Sequence, residues 1–438
     1  MEWCGHMTAS VPRRLSRRAW LLVSASAAAS HALGRAPIGG ELKLALPWSL
    51  VDLDPHSSAP SAAWFGPAIA DPLYGVDAHG RAHPALADGM PVVSGAGVEV
   101  RLRPGLVTAR GRALTLHDVH WSLTRAATRG ARALLGEFGA GQVAGEVLRF
   151  PKVDAARLAL ALASPLTAIL PRGFNPARPD GTGALLAEPS PAGLRLSRNP
   201  RAARGAALLD RVNVKQSPSL TEGLRAFEAG ELHVGWLGDG LHRPRPGARP
   251  FRGKDVGWVV LRTGAQAGQW SAPGVAQALI SGLPAGSLGR FDLTPPGGRS
   301  QTRWGGGDAE LLVSRAEPFL MEVAEAVAAG ASQPGHRLNV TPVTEAELTR
   351  RRASAAYSLC LDFVRRLGEA PGLDGLALTA AASPALARRP PHLEKQSLIE
   401  VTRALSLGVI GAVRPSGYAA PEYQDLSLWD FGAITRQG

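Results

Sequence analysis

Residues 310–363 read ELLVSRAEPFLMEVAEAVAAGASQPGHRLNVTPVTEAELTRRRASAAYSLCLDF and decide the fold class. Short apolar runs alternate here with longer segments of helical periodicity. The pattern predicts strand, helix, strand, helix and strand in turn, over 310–314, 318–329, 337–343, 345–353 and 357–363. Strict alternation favours parallel strands with helices on both sheet faces, so we predict an α/β lobe. A strand over 257–262 and a helix over 276–280 precede it in the same unit.

The chain before residue 257 carries shorter elements. Leu42, Leu44 and Leu46 alternate with polar or small residues, which predicts a strand. A helix is predicted to begin after Thr115, with Thr115 as N-cap and Asp118 as its capping partner. Further helices are predicted over 62–74 and 220–230, further strands over 98–105, 156–162, 194–200 and 212–215, and a loop or linker over the Pro-, Gly- and Arg-rich stretch 239–253.

The first forty residues have the architecture of an export signal. Arginines at positions 13, 14, 17 and 18 precede an uncharged run from Ala19 to Ser30, which is too short to span a membrane. The segment SRRAWLL at 16–22 resembles a twin-arginine motif, and the general secretory route is the alternative. We therefore expect residues 1–36 to be an export signal that is cleaved between Ala32 and Ala36, leaving a periplasmic protein.

Composition excludes several other classes of protein. Without the signal the chain holds one cysteine, Cys360, so no intramolecular disulfide is expected and a buried thiol is favoured. The net charge is +12, of which residues 1–36 supply +4. The remaining positive charge comes from scattered arginines without interleaved aromatic residues, which does not match a nucleic-acid-binding surface.

No motif for catalysis or metal binding stands out. His117 and His120 are spaced as H-x-x-H, but no further ligands lie nearby in the sequence, and packing or surface histidines are favoured. The glycines around Gly139 follow no strand and do not predict a phosphate loop. We expect neither a catalytic residue, nor a metal site, nor a cofactor, and the chain is not expected to be an enzyme.

Six groups of short motifs follow one another along residues 40–235: LDPH at 53–56, DPLYGVDAHGR at 71–81, PALA at 84–87, VRLRPG at 100–105 with LTLHDV at 114–119, GTG at 181–183 with RNP at 198–200, and LDRV at 209–212. In this order they resemble family 5 extracytoplasmic solute-binding proteins, the peptide-, dipeptide- and nickel-binding receptors of bacterial ABC importers. The second half of the chain resembles the family by pattern only, and the chain is shorter than typical members.

Several signature positions depart from the family pattern. The family's HDG reads TARG at 108–111, GPY reads GAL at 183–185, and no tyrosine-tryptophan pair follows Asn199-Pro200. The segment YSLCLDFV at 357–364 stands where dipeptide-type receptors hold the ligand's amino group with an acidic residue. Specificity for dipeptides is therefore not expected.

The resemblance implies a two-lobed, periplasmic-binding-protein-like α/β fold with a hinge and a central cleft. We expect a first lobe over 37–256 with an inserted subdomain at about 60–170, a second lobe over 257–404, and a C-terminal return to the first lobe over 405–438. The implied function is that of a monomeric receptor that delivers peptides or similar amine-bearing solutes to an ABC permease and binds no nucleic acid. A degenerate family member with an interaction or signalling role is the alternative.

Candidate ligand-binding residues come from both predicted lobes. Ser57 and Ser58 follow the turn after the first strand, and Trp64 and Trp258 offer indole faces on which a ligand could stack. Asp362 ends a second-lobe strand and is a candidate partner for a ligand ammonium, with a helix cap or a surface salt bridge as the alternatives.

Overall fold

The computed structural model describes residues 38–151, 153–237, 245–383, 396–426 and 431–436. The export signal predicted for residues 1–36 lies outside the described residues. The strands of the described residues are β1 (Glu41–Leu46), β2 (Tyr74–Val76), β3 (Ala82–Pro84), β4 (Val92–Ser94), β5 (Gly97–Val100), β6 (Gln142–Ala144), β7 (Val147–Phe150), β8 (Leu185–Ser190), β9 (Gly193–Arg198), β10 (Arg211–Gln216), β11 (Val234–Trp236), β12 (Arg249–Arg252), β13 (Gly257–Thr263), β14 (Ala309–Ser314), β15 (Leu338–Val343), β16 (Leu359–Arg365), β17 (Leu407–Val413), β18 (Ser416–Ala419), β19 (Tyr423–Gln424) and β20 (Thr435–Arg436).

The α-helices of the described residues are α1 (Pro60–Ile69), α2 (Leu116–Ala127), α3 (Arg132–Leu135), α4 (Ala155–Ala161), α5 (Leu220–Glu228), α6 (Val275–Ser281), α7 (Pro318–Ala331), α8 (Glu345–Ser354), α9 (Leu373–Ala382) and α10 (Leu398–Arg403). Short 3₁₀ turns add Pro165–Thr167, Ala265–Ser271 and Gly289–Phe291. None of the helices described is long and apolar enough to cross a membrane.

The first lobe is built on a mixed sheet with the strand order β12-β18-β11-β1-β10-β9-β8. Strand β1 lies in its interior and pairs in parallel with β10 and β11. The predicted alternation is confirmed, because Leu42, Leu44 and Leu46 are all fully buried on the core side. The carboxyl end of β1 therefore delivers residues 47–50 into the interior of the molecule, and after an exposed turn at Val51 residues 53–56 are buried again.

The inserted subdomain packs α2, α3 and α4 against a sheet of order β4-β5-β7-β6. Helix α2 begins with the predicted capping box, in which Thr115 and Asp118 each accept the other's backbone N–H. The strand predicted over 156–162 is wrong, because this segment forms α4. The Asp154 side chain caps its N-terminus, and Leu158 and Leu162, four residues apart, are both buried. Alternating Leu and Ala satisfies either periodicity, and alanine's helix propensity favours the helix.

The second lobe is an α/β unit with the strand order β15-β14-β16-β13-β17. The structure confirms the strands and helices predicted over 310–363, and β14 pairs in parallel with β15 and β16. The prediction that the strands of this lobe all pair in parallel is wrong, because β13 runs antiparallel to both β16 and β17. This strand enters from the first lobe rather than through a helical crossover, so its direction is not fixed by the alternation rule.

Two short segments connect the lobes and run side by side. The chain leaves the first lobe between β12 and β13 and returns between β17 and β18, after Val413 rather than at residue 405. The Val256 N–H donates to the Val413 carbonyl at 2.8 Å, and the Gly253 N–H donates to the Pro415 carbonyl at 2.6 Å. The loop predicted over 239–253 contains β12 at its end, and its residues 239–244 lie outside the described ones.

Aromatic side chains fill the contact between the first and second lobes. Trp48, which follows β1, stacks on Phe319 of α7 with ring centroids 4.7 Å apart, and its ring edge contacts Phe363 of β16. The Phe319 N–H donates to the Pro47 carbonyl at 2.8 Å. The lobes therefore meet through a buried aromatic core at the carboxyl end of β1.

Glu317 is the buried titratable group of this contact. Its Oε2 accepts a hydrogen bond of 2.9 Å from the Ser49 N–H, which joins α7 to the chain after β1. Burial raises the pKa of Glu317 to about 7; the Ser49 N–H opposes this rise and the Glu345 carboxylate adds to it. Because the folded state holds this proton more tightly than the unfolded chain, the stabilisation is complete at low pH and is lost as pH rises to about 7.

We therefore predict that Glu317→Gln becomes progressively more stable relative to the parent protein between pH 5 and pH 8. Glutamine still offers an acceptor to Ser49 and carries no proton to lose. Urea unfolding at each pH measures the difference in free energy of unfolding between the two proteins. The titration of His56 occurs in both proteins, so its contribution cancels in this difference. Exposed Glu325→Gln on the same helix is the control, for which we expect no pH-dependent difference. An equal pH dependence for both variants would contradict the role of Glu317.

Candidate functional site

A cavity of about 990 Å³ lies between the inserted subdomain and the second lobe. One wall comes from α3, α4 and the turns before them, and the opposite wall from the end of β16 and from α9. Its volume lies within the range of small-molecule sites in proteins. Most of the lining is apolar and includes Leu134, Phe138, Leu160, Leu166, Val364 and Leu376. Charged groups are set into this apolar surface.

Arg365, the last residue of β16, joins the two sides of the molecule beside this cavity. The residue is only 5% exposed, and its Nη1 donates to the Pro55 and Ser57 carbonyls at 2.8 and 2.6 Å. Its Nη2 is buried and has no hydrogen-bond partner within the described part of the chain. Burial lowers the pKa of Arg365 to about 10, against the attraction of Asp54 and Asp52. The guanidinium therefore keeps its charge at neutral pH.

The backbone that Arg365 contacts is held by a buried network after β1. Asp54 forms a two-pronged ion pair with Arg125 of α2, with distances of 2.9 and 2.6 Å. The His56 Nε2 lies 2.8 Å from the Ala168 carbonyl, and its Nδ1 lies 2.9 Å from the Arg125 Nη1. Burial lowers the pKa of His56 to about 4, so the ring is neutral at pH 7, with Nε2–H as donor and Nδ1 as acceptor. The LDPH motif thus fixes the loop that receives Arg365.

Asp362 also lines the cavity, and its carboxylate is already paired. Oδ2 lies 2.9 Å from the Arg262 guanidinium and 2.6 Å from that of Arg352, while Oδ1 accepts the Phe363 N–H at 2.9 Å. Burial alone would raise the pKa of Asp362, but the attraction of Arg352 and Arg262 outweighs burial and lowers it. The carboxylate is therefore ionised and shared between two cations.

The predicted ligand residues occupy different surroundings. Ser58 and Asp362 lie together on the cavity wall. The Ser57 hydroxyl donates to Asp52, and its carbonyl accepts Arg365. Trp64 is fully buried against Trp48 and Trp236, with ring centroids 5.9 and 5.0 Å away.

Trp258 is also buried, in the core that joins β13 to the inserted subdomain. Neither Trp64 nor Trp258 lines the cavity as described. Both indole rings are buried in hydrophobic cores and are not exposed for stacking on a ligand. The contribution of all five predicted residues to ligand binding stays a prediction.

Sequence reasoning missed the arginines, above all Arg365. No motif contains it, but a signal was present, because Arg365 ends a run that is buried and, apart from Asp362, apolar. A cation at the end of a buried strand requires a partner or a function. Of the histidine pair, the His120 Nδ1 lies 2.9 Å from the Gly141 carbonyl, and His117 is exposed. No cluster of metal-ligating side chains occurs among the described residues.

Comparison with known proteins identifies the fold. No protein-family model matches the chain. No curated protein matches it in sequence either. Solved structures match over nearly the whole length. The oligopeptide-binding protein AppA of Bacillus subtilis, in complex with a nonapeptide, has a TM-score of 0.69 at 14% identity, covering 92% of this chain and 100% of its own.

Two further structures show the same likeness. The periplasmic binding protein DppA of Helicobacter pylori, in complex with the peptide STSA, has a TM-score of 0.69 at 13% identity and coverages of 92% and 99%. AgaA of A. tumefaciens R10, in complex with agropinic acid, has a TM-score of 0.69 at 15% identity and coverages of 91% and 99%. The chain therefore has the two-lobed fold of periplasmic binding proteins. The resemblance to the family 5 receptors is confirmed at the level of the fold.

We predict that Asp362→Asn lowers the free energy of unfolding by about 3–5 kcal/mol, because it removes the buried carboxylate that the partly buried cations Arg262 and Arg352 share, while Arg352 keeps its pair with Glu345 at 3.3 Å. Glu137→Gln, on the opposite wall of the cavity, is the control. Its carboxylate pairs with Arg157 at 2.9 Å, but both side chains are about half exposed, so a loss of about 0–1 kcal/mol is expected. Chemical denaturation measures both variants. Equal losses would show that the Asp362 cluster is not a buried ionic network.

Proposed function

We propose that this chain is the extracytoplasmic substrate-binding receptor of an ABC importer and holds a peptide-sized solute in the cavity between the inserted subdomain and the second lobe. The observation that carries the proposal is the 990 Å³ cavity, with its apolar lining and set-in charges, in a fold shared with solute-binding proteins. The structural neighbours bind a nonapeptide, a tetrapeptide and agropinic acid. Binding and release, without bond chemistry, is the proposed activity.

The proposed cycle includes export and a membrane partner. Residues 1–36 would direct the chain to the periplasm and be removed there, and the mature receptor would act as a monomer. A solute that contacts both walls of the cavity binds the closed arrangement better than an open one, so it shifts the population toward closure. The permease would then distinguish the loaded receptor from the empty one. The paired segments between β12 and β13 and between β17 and β18 are the proposed hinge.

One observation favours a second candidate, a non-transport role in which the protein acts as an interaction partner. The lobes are already joined directly by the Trp48–Phe319 stack, by the Ser49–Glu317 hydrogen bond and by the Leu220 N–H, which donates to Glu322 at 2.9 Å. Such contacts would have to break for the lobes to separate fully. A ligand-induced response therefore decides between the two functions.

We predict that the mature chain binds at least one member of a panel of peptides of two to nine residues and opine-type acids. Binding should raise the thermal midpoint, because a ligand at about 100 times its Kd contributes about 2.7 kcal/mol. Ala133→Trp, which projects an indole from the cavity wall, should abolish the effect. Ala192→Trp, on an exposed turn of the first lobe, should leave it intact.

Calorimetric titration of the same panel gives the affinities directly. If no panel member binds, or if Ala133→Trp binds as tightly as the parent protein, the receptor function in this cavity is wrong. The interaction-partner role would then be the better account.

A further inference from the structure

The charges on the cavity wall are strongly unequal. Among the described residues, six arginines line the cavity against two carboxylates, Glu137 and Asp362. Glu137 is paired with Arg157, and Asp362 is shared between Arg262 and Arg352. No carboxylate of this wall is left to receive a ligand ammonium. The lining therefore favours a solute that brings negative charge.

Two of the arginines form no direct ion pair within the described residues, although Asp54 and Asp52 attract Arg365 from farther away. Arg365 donates only to the Pro55 and Ser57 carbonyls, and its Nη2 has no acceptor among the described residues. A buried donor without an acceptor costs free energy, and an oxyanion would satisfy both the donor and the charge. Arg132, at the start of α3, is exposed on the opposite wall and forms no ion pair within the described chain. Both residues line the cavity, Arg365 from the second lobe and Arg132 from the inserted subdomain.

The remainder of the lining is apolar. Leucines of the inserted subdomain, at positions 134, 160 and 166, lie across from Val364, Leu373 and Leu376 of the second lobe. Burying apolar area against them contributes about 25 cal/mol per Å². A small hydrophilic anion would leave most of this surface unused. The cavity fits a ligand with an anionic group and a sizeable apolar body.

From these observations we propose that the solute is an apolar carboxylate, or a related apolar oxyanion, whose anionic group pairs with Arg365 and Arg132 and whose binding needs no free amine. The inference rests on the proposed receptor function and narrows it. It replaces the amine-bearing solute expected from the family resemblance with an anionic one. The Asp362 carboxylate then acts by holding Arg262 and Arg352, not by contacting the ligand.

Three probes with the same apolar body test the proposal by calorimetry: N-acetyl-leucyl-phenylalanine, its C-terminal amide, and leucyl-phenylalaninamide with a free ammonium. We expect the carboxylate to bind at least tenfold more tightly than either of the others. The phosphonate analogue of the terminal residue distinguishes a carboxylate site from a general oxyanion site. Tighter binding of the phosphonate would assign the general oxyanion.

Variants separate the charge from the fold. Arg132→Gln should weaken binding of the carboxylate several-fold and leave the amide unchanged, and Arg195→Gln, an exposed arginine of β9, is the matched control that should change neither. Arg365→Lys keeps the charge but loses the forked donor geometry, and a larger loss is expected. Circular dichroism and the thermal midpoint establish that each variant is folded. If Arg365→Lys does not fold, the comparison of Arg132→Gln with Arg195→Gln alone tests whether an arginine of the cavity binds the carboxylate.

The outcomes distinguish the two proposals. If the ammonium or amide probe binds as tightly as the carboxylate, and Ala133→Trp abolishes that binding, the receptor stands and the anionic solute is wrong. The same conclusion follows if Arg132→Gln and Arg195→Gln leave carboxylate binding equally unchanged. If neither these probes nor the wider panel bind, both proposals fail.

Discussion

The rest of the structure depends on the buried ion pair between Asp54 and Arg125. Asp54 is 1% exposed, and the pair lies where the chain leaves β1, with α2 on one side and β16 on the other. It fixes the loop whose Pro55 and Ser57 carbonyls receive Arg365 from the second lobe. Removing one partner of such a pair costs about 3–5 kcal/mol, because the other charge stays buried. One short loop thereby connects the first lobe, the inserted subdomain and the second lobe.

The arginines held at this junction also explain why the cavity carries an excess of positive charge. The backbone carbonyls of the loop orient the Arg365 guanidinium but do not neutralise it, and Asp362 is divided between Arg262 and Arg352. The protein therefore maintains an excess of arginines, from buried Arg365 to exposed Arg132, around an apolar space. Proteins retain such groups at a cost in stability where a ligand uses them. Binding of an anion would relieve part of that cost.

Local patterns predicted most of the second lobe because its strands and helices differ clearly in period, and the capping box of α2 was readable from Thr115 and Asp118. The strand predicted over 156–162 was wrong because leucine alternating with alanine fits both the strand and the helix period. The site was harder to predict. Ser58 and Asp362 are 304 positions apart and meet only through the tertiary fold, and Trp64 and Trp258 satisfy burial as well as stacking. Sequence types alone could not reveal that Asp362 is already paired.

Hydrogen exchange of the ligand-saturated and free chains tests the central claim most directly, because it locates the bound solute without assuming which residues contact it. We expect slower exchange in peptides that contain α3 and α9, from the two walls of the cavity, with little change in β8 and β9 at the far edge of the first sheet. Protection confined to the first sheet, with α3 and α9 unchanged, would contradict a solute site between the inserted subdomain and the second lobe.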